Sequence, residues 1–285
     1  MKNVLAFPLI RLALIVVPFI AAFAGIVTAG GGHHSLRSGI FVTAIAVLVL
    51  VALIIFVERF TTRRSPAEIG FDPARIVPDT AKGFALGAAL FSAVVLELAL
   101  SGHYRVVAVH FTWALVASAL FFALGAALEE LLFRAVLFRL IEEWTGTWIA
   151  LAISAALFGA AHALNPGATW ASSLAIALEA GVLLGAAFVV TRNVWFPIAL
   201  HFAWNFLEGP IYGTQVSGRA SGSDLLVSHI SGPAWLTGGK FGPEAGAAAI
   251  VTCLIAAVAL LVHATRNSLI RKGRSGAQTV SKTSA

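Results

Sequence analysis

Along this chain apolar residues do not alternate with polar ones; they continue unbroken over lengths that match a lipid bilayer. Eight such stretches occur, near residues 4–29, 39–57, 83–101, 109–141, 147–164, 172–191, 194–208 and 245–265. A strand of an outer-membrane barrel would show only about 10 residues of alternating character, whereas about 20 apolar residues let a helix cross the hydrocarbon core. The pattern predicts an all-α, polytopic membrane helix bundle of about eight transmembrane helices, with the chemistry inside the bilayer or at its edge.

Composition strengthens this reading. The 285 residues are 59% hydrophobic and only 11% charged, against about 45–50% and roughly 25% in soluble domains. The net charge of +6 would suggest nucleic acid in a soluble protein, but in a membrane protein the placement of the charges matters more than their sum. The expected partner is the lipid bilayer, with no nucleic acid. The connection Glu58–Lys82 carries Arg59, Arg63, Arg64, Arg75 and Lys82, and the tail after His263 carries Arg266, Arg271, Lys272, Arg274 and Lys282. The remaining external loops hold only Arg37, Arg105, Arg219 and Lys240. Positive residues stay on the cytoplasmic side, so both termini are expected there, the first marked by Lys2. The single Cys253 offers neither an intrachain disulfide nor a cysteine metal site.

The first stretch has a second reading as a signal peptide, because Lys2 precedes it and Ala22-Phe23-Ala24 resembles a cleavage site. Arg11 interrupts the apolar run and the stretch continues to Ala29, which favours a retained span. Four regions are expected: N-terminal helices with the basic loop over 1–107, a helical core over 108–208, an external loop over 209–244, and a last helix with its basic tail over 245–285. The segment Glu208–Glu244 is rich in Gly and Ser and reads as a loop over a site. Ser275–Ala285 reads as disordered, and no internal repeat of the kind found in many transporters is present.

Charged residues within spans cost about 2.5–3.5 kcal/mol each on insertion scales, so each needs a partner or a function. Here they cluster as Glu129-Glu130 with Arg134, Phe158 with His162, and His201 with Asn205. Glu130 and Arg134 stand at i and i+4 in the favourable order for an ion pair. Glu129 points about 100° away and lacks a local partner, which suits a general base. The helices of Glu129 and His162 form a hairpin turning near Thr145-Gly146. Both residues lie 16 positions from that turn, about 24 Å along each helix. His201 is only 9 residues past Arg192, about 13 Å, so a meeting requires the fourth helix to extend beyond the bilayer. Glu179 is expected as a buried partner or a cavity-lining residue. His103, His110, His229, His263 and the pair His33-His34 lack partners at ligand spacing.

The motifs EExxxR (Glu129, Glu130, Arg134), FxxxH (Phe158, His162) and HxxxN (His201, Asn205), in this order on separate apolar helices, resemble the CPBP family of intramembrane proteases, which includes the type II CAAX prenyl endopeptidases and bacteriocin-processing relatives. The resemblance covers roughly residues 108–208, and Ser65–Phe71 is similar to an upstream element of the family. It implies peptide-bond hydrolysis within the membrane. Glu129 would activate water with His162, His201 and Asn205 would stabilise the oxyanion, and Glu130, Arg134 and Phe158 would support them. The substrate would be a hydrophobic or membrane-anchored peptide, and the location a multi-pass protein of a bacterial cytoplasmic membrane.

No GxSxG occurs, so water is the favoured nucleophile over serine. No cofactor is favoured. Zinc on Glu129, His162 and His201 is the alternative, since the family has been called metalloproteases, although the zincin helix motif HExxH is missing. Two other functions stay open on the residues alone: a proton-coupled transporter, and a non-catalytic membrane scaffold or immunity protein.

Overall fold

The computed structural model describes residues 4–29 and 35–273. Lys2, the glycines 30–32, His33-His34 and Ser275–Ala285 lie outside them. All eight apolar stretches are helical: α1 (Pro8–Ala29), α2 (Leu36–Thr61), α3 (Ile76–Leu100), α4 (Ala114–Glu130) continuing through a π-helical stretch Leu131–Phe138 into α5 (Arg139–Thr145), α6 (Thr147–His162), α7 (Trp170–Ile176) continuing through a π-helical turn Ala177–Gly181 into α8 (Val182–Thr191), α9 (Trp195–Phe206), and, after a long connection, α11 (Ala247–Arg266). Among the described residues, six of these helices are long and apolar enough to cross a membrane. The chain is a multi-pass integral membrane protein built as an all-α bundle. The helices α6 and α9 are shorter, at 16 and 12 residues.

The bundle carries one small sheet that the all-α reading did not foresee. Strand β1 (Tyr104–Val109) pairs antiparallel with β2 (Leu226–Ile230). The run Tyr-Arg-Val-Val-Ala-Val favours a strand because its β-branched and aromatic residues fit a pleated surface, so the fourth helix starts at Ala114 instead of 109. The connection between α9 and α11 is likewise more ordered than its Gly and Ser content suggests. It contains β2 and a single helical turn, α10 (Ala234–Thr237), and it buries Phe241 in the bundle.

Glycine allows the two contacts that set the position of the short helices. Gly146 turns the α5–α6 hairpin at φ 91°, with Arg271 O and Gly273 N only 3.0 Å from where a Cβ would stand. Gly83 and Gly87 on α3 form a GxxxG pair whose Cβ atoms would run into the carbonyl oxygens of Phe196 and Leu200. The backbones of α3 and α9 therefore touch directly, the close approach such spacing permits in membranes.

The residue that breaks the first apolar run has a structural role. Arg11 is fully buried; its Nη1 donates to both Glu58 oxygens at 2.8 Å, and its Nη2 pairs with Glu143. Arg139 joins Glu58 at 2.7 Å, and Arg64 joins Glu143. Helix α1 is thus bound to α2, to α5 and to the basic connection through a shared set of buried charges, each needing the others because unpaired charge is so costly in low dielectric. Arg192 pairs with Glu142 at 2.6 Å, and the backbone of Thr147 donates to Arg271 O at 3.0 Å. The α2–α3 connection, the α8–α9 turn and the C-terminal segment all gather at the α5–α6 turn.

Candidate active site

The two adjacent glutamates end α4, and the π-helical stretch begins immediately after them. Such segments widen the backbone and often mark functional positions. Glu130 is fully buried, while the Glu129 side chain is 39% exposed. Arg134 Nη1 donates to Glu130 Oε1 at 2.8 Å, and Nη2 reaches the carbonyls of Ala180 and Gly181 at 3.2 and 3.3 Å. Its guanidinium carbon sits 4.5 Å from the centre of the Phe158 ring, within cation–π range. Arg134 therefore fastens the α4 end to the π-helical turn of α7–α8.

Glu130 Oε1 also accepts from His201 Nδ1 at 3.0 Å. His162 Nδ1 donates to the Phe158 carbonyl at 2.8 Å, since a carbonyl oxygen can only accept. These two bonds turn both Nε2 atoms the same way. Each lies 4.0 Å from Glu129 Oε2, an oxygen that is buried and has no hydrogen-bond partner among the described residues. The Phe158 ring separates and aligns the imidazoles, with its centroid 4.7 Å from that of His162 and 6.0 Å from that of His201. The structure therefore brings Glu129, Glu130, Arg134, Phe158, His162 and His201 into one cluster. The glutamate and first histidine are level across the hairpin, and the continuous 32-residue helix Ala114–Thr145 supplies the extra length that the meeting requires.

Asn205, one turn beyond His201, lines the same space. A cavity of about 610 Å³ is bordered by Glu129, His162 and Asn205 on its polar side and by Phe121, Phe122 and Phe133 on its apolar side. Behind the histidines lies a much smaller cavity of about 20 Å³, room for a single water. It is lined by His162, His201, Asn205, Glu179, Ser217 and Glu244. Glu179 thus takes the lining position foreseen for it. Ser217 and Glu244 were not singled out from the sequence, because they sit in the Gly-rich connection with no spacing that relates them to the helices. Ser217 Oγ donates to Glu244 Oε1 at 2.7 Å, and burial pushes the Glu244 carboxyl above the usual carboxylate range. The histidines His103, His110, His229 and His263 line neither cavity.

The three groups that could hold zinc are wider apart than a tetrahedral site. Donors at about 2.0–2.1 Å from zinc stand about 3.3 Å from one another, whereas Glu129 Oε2 is 4.0 Å from each Nε2. As placed, they do not fit the ion without moving together. A separation of 4.0 Å does match two groups that share one bridging water.

Residues 111–207 match the family model described as type II CAAX prenyl endopeptidase Rce1-like. Over that segment the chain is similar to the Rce1-like family. That segment contains Glu129, Glu130, Arg134, Phe158, His162, His201 and Asn205, so the cluster and the Rce1-like match coincide along the chain. No curated protein and no solved structure matches the chain.

Proposed function

We propose that this protein is an intramembrane endopeptidase that hydrolyses a peptide bond of a hydrophobic, membrane-associated substrate by water activated between Glu129 and His162. The observation that supports this most is the convergence of both histidine Nε2 atoms on Glu129 Oε2 at the wall of a cavity large enough for a peptide segment. The two histidines differ in their second partners. His162 faces a neutral carbonyl and keeps Nε2 as an acceptor. His201 faces the Glu130 carboxylate instead, and in this scheme its Nε2 carries the hydrogen offered to the oxyanion.

The chemistry divides accordingly. Glu129 removes a proton from water while His162 Nε2 holds its other hydrogen, and the water oxygen attacks the peptide carbonyl. The developing oxyanion accepts from His201 Nε2–H and the Asn205 amide, donors worth about 2.7–4 kcal/mol each in such sites. Protonated Glu129 then passes its proton to the departing amine, leaving an acid and an amine as products. Glu130 and Arg134 act by holding His201 and the helix end in place. No step in this scheme needs a metal ion.

Membranes of cells carrying the wild type and Glu129→Ala, compared by quantitative proteomics, test this reading. A membrane-associated protein should accumulate uncleaved only with the variant. Indistinguishable proteomes at equal expression would remove the proposal.

A further inference from the structure

The ends of the bundle differ in charge, and the loop residues that border the cavity gather at one of them. Basic segments from three parts of the chain gather around the α5–α6 turn. Arg64 pairs with Glu143, Arg192 with Glu142, and Lys272 bridges to Gly146. Arg59, Arg63, Arg75 and Arg266 lie in the same connections or at the end of α11 next to them. The cavity is bordered instead by Ser35, Leu36 and Gly39 at the start of α2, by Ser118 early in α4, by Asn165 just past α6, and by Ser217–Ser221 of the α9–α11 connection. All of these are at the opposite end. The connecting segments there carry only Arg37, Arg105, Arg219 and Lys240. Exposed Trp113, Trp170 and Trp235 stand at the starts of α4, α7 and α10 on this side, as expected where helices enter the headgroup region.

Cytoplasmic loops hold the excess of Lys and Arg. We infer that the Glu129–His162–His201 centre opens to the non-cytoplasmic face of the membrane, and that its substrate is a membrane-anchored polypeptide cleaved in the stretch it presents on that face. The cavity suits such a segment. Its mouth is polar, with Asn165, Arg219 and Ser221, and its interior is apolar, with Phe121, Phe122, Ala126 and Phe133. A peptide entering from outside would leave its polar flank at the mouth and place apolar residues beside Glu129. The nature of the substrate rests on the endopeptidase reading; the direction of opening does not.

The two can be tested apart by cysteine labelling, which requires no turnover. Ala220 is exposed at the mouth, Ala161 lies on the cavity wall next to His162, and Ala67 is exposed in the basic connection. The native Cys253 is fully buried and serves as the unlabelled background. Ala220→Cys, Ala161→Cys and Ala67→Cys would be treated with a membrane-impermeant maleimide in right-side-out and inside-out vesicles, each also in the Glu129→Gln background. The first two should be labelled only in right-side-out vesicles and the third only in inside-out ones, with or without Glu129. Labelling of the cavity positions only in inside-out vesicles would overturn the inference. Labelling of the mouth but not of Ala161→Cys from either side would overturn it too, because the centre would then be closed to that face.

Discussion

Glu130 and His201 stand 71 residues apart in the chain and share a hydrogen bond of 3.0 Å in the buried interior. Because Arg134 binds the same carboxylate oxygen, Glu130 is held between two donors and is closed to the cavity. Its neighbour Glu129 is left partly exposed beside both imidazoles. Two adjacent residues of one kind therefore have opposite situations.

Their substitutions should separate. Glu129→Gln removes a carboxylate that pairs with no arginine among the described residues, so the protein should accumulate and melt like wild type while cleavage is lost. Glu130→Gln leaves Arg134 buried without its countercharge, a loss of about 3–5 kcal/mol for broken buried pairs. It should lower both the yield and the melting temperature in detergent. Thermal melts by size-exclusion fluorescence check the contrast, and equal melts for the two variants would contradict it.

The contact between α3 and α9 predicts a defect in a residue with no chemistry of its own. A Cβ at Gly87 would collide with the carbonyl of Leu200, next to His201, whereas a Cβ at Gly25 meets nothing within 4 Å. Gly87→Ala should destabilise the bundle by roughly 1–3 kcal/mol, the usual range for overpacking, and reduce turnover by displacing His201. Gly25→Ala should do neither. A fully active, equally stable Gly87→Ala would mean that this approach does not position α9.

The fate of the first helix can be decided through Arg11. If α1 is an integral member of the bundle, Arg11→Ala leaves Glu143 and Glu58 short of a partner and should cost on the order of 3–5 kcal/mol. The melting temperature of the purified protein should fall accordingly. An unchanged melt would show that α1 contributes nothing to holding the others together, as for a removable leader.

Much of this architecture could be read from the residues because membranes impose simple rules. Long apolar runs marked the helices, the i, i+4 spacing of Glu130 and Arg134 anticipated their ion pair, and counting from Gly146 placed Glu129 level with His162. The strand β1 escaped because Tyr104–Val109 is as apolar as a helix end and its partner lies more than a hundred residues away. The Glu130–His201 bond, the Arg11–Glu58–Glu143 set and the Ser217–Glu244 contact escaped because each joins elements whose relative placement depends on backbone contacts, such as Gly83 and Gly87 against α9. The π-helical stretches after Glu130 and Ile176 also leave no mark in the sequence, since they arise where helices must shift by part of a turn to bring side chains together.

If zinc bound Glu129, His162 and His201, chelation would abolish activity, added zinc would restore it, and the ion would copurify near one equivalent per chain. Binding would also have to draw together groups that now stand 4.0 Å apart. If the centre works as a carboxylate base with an oxyanion site, exhaustively chelated protein stays active. Asn205 discriminates further, because it borders the cavity without belonging to the three candidate ligands. Asn205→Ala should lower turnover about 10²–10³-fold, the loss seen when one oxyanion donor is removed, while leaving any metal content unchanged. We expect activity to survive chelation and to fall in Asn205→Ala. Inactivation by chelation with rescue by stoichiometric zinc would replace the metal-free scheme, because Glu129 would then be a ligand and could not serve as the base.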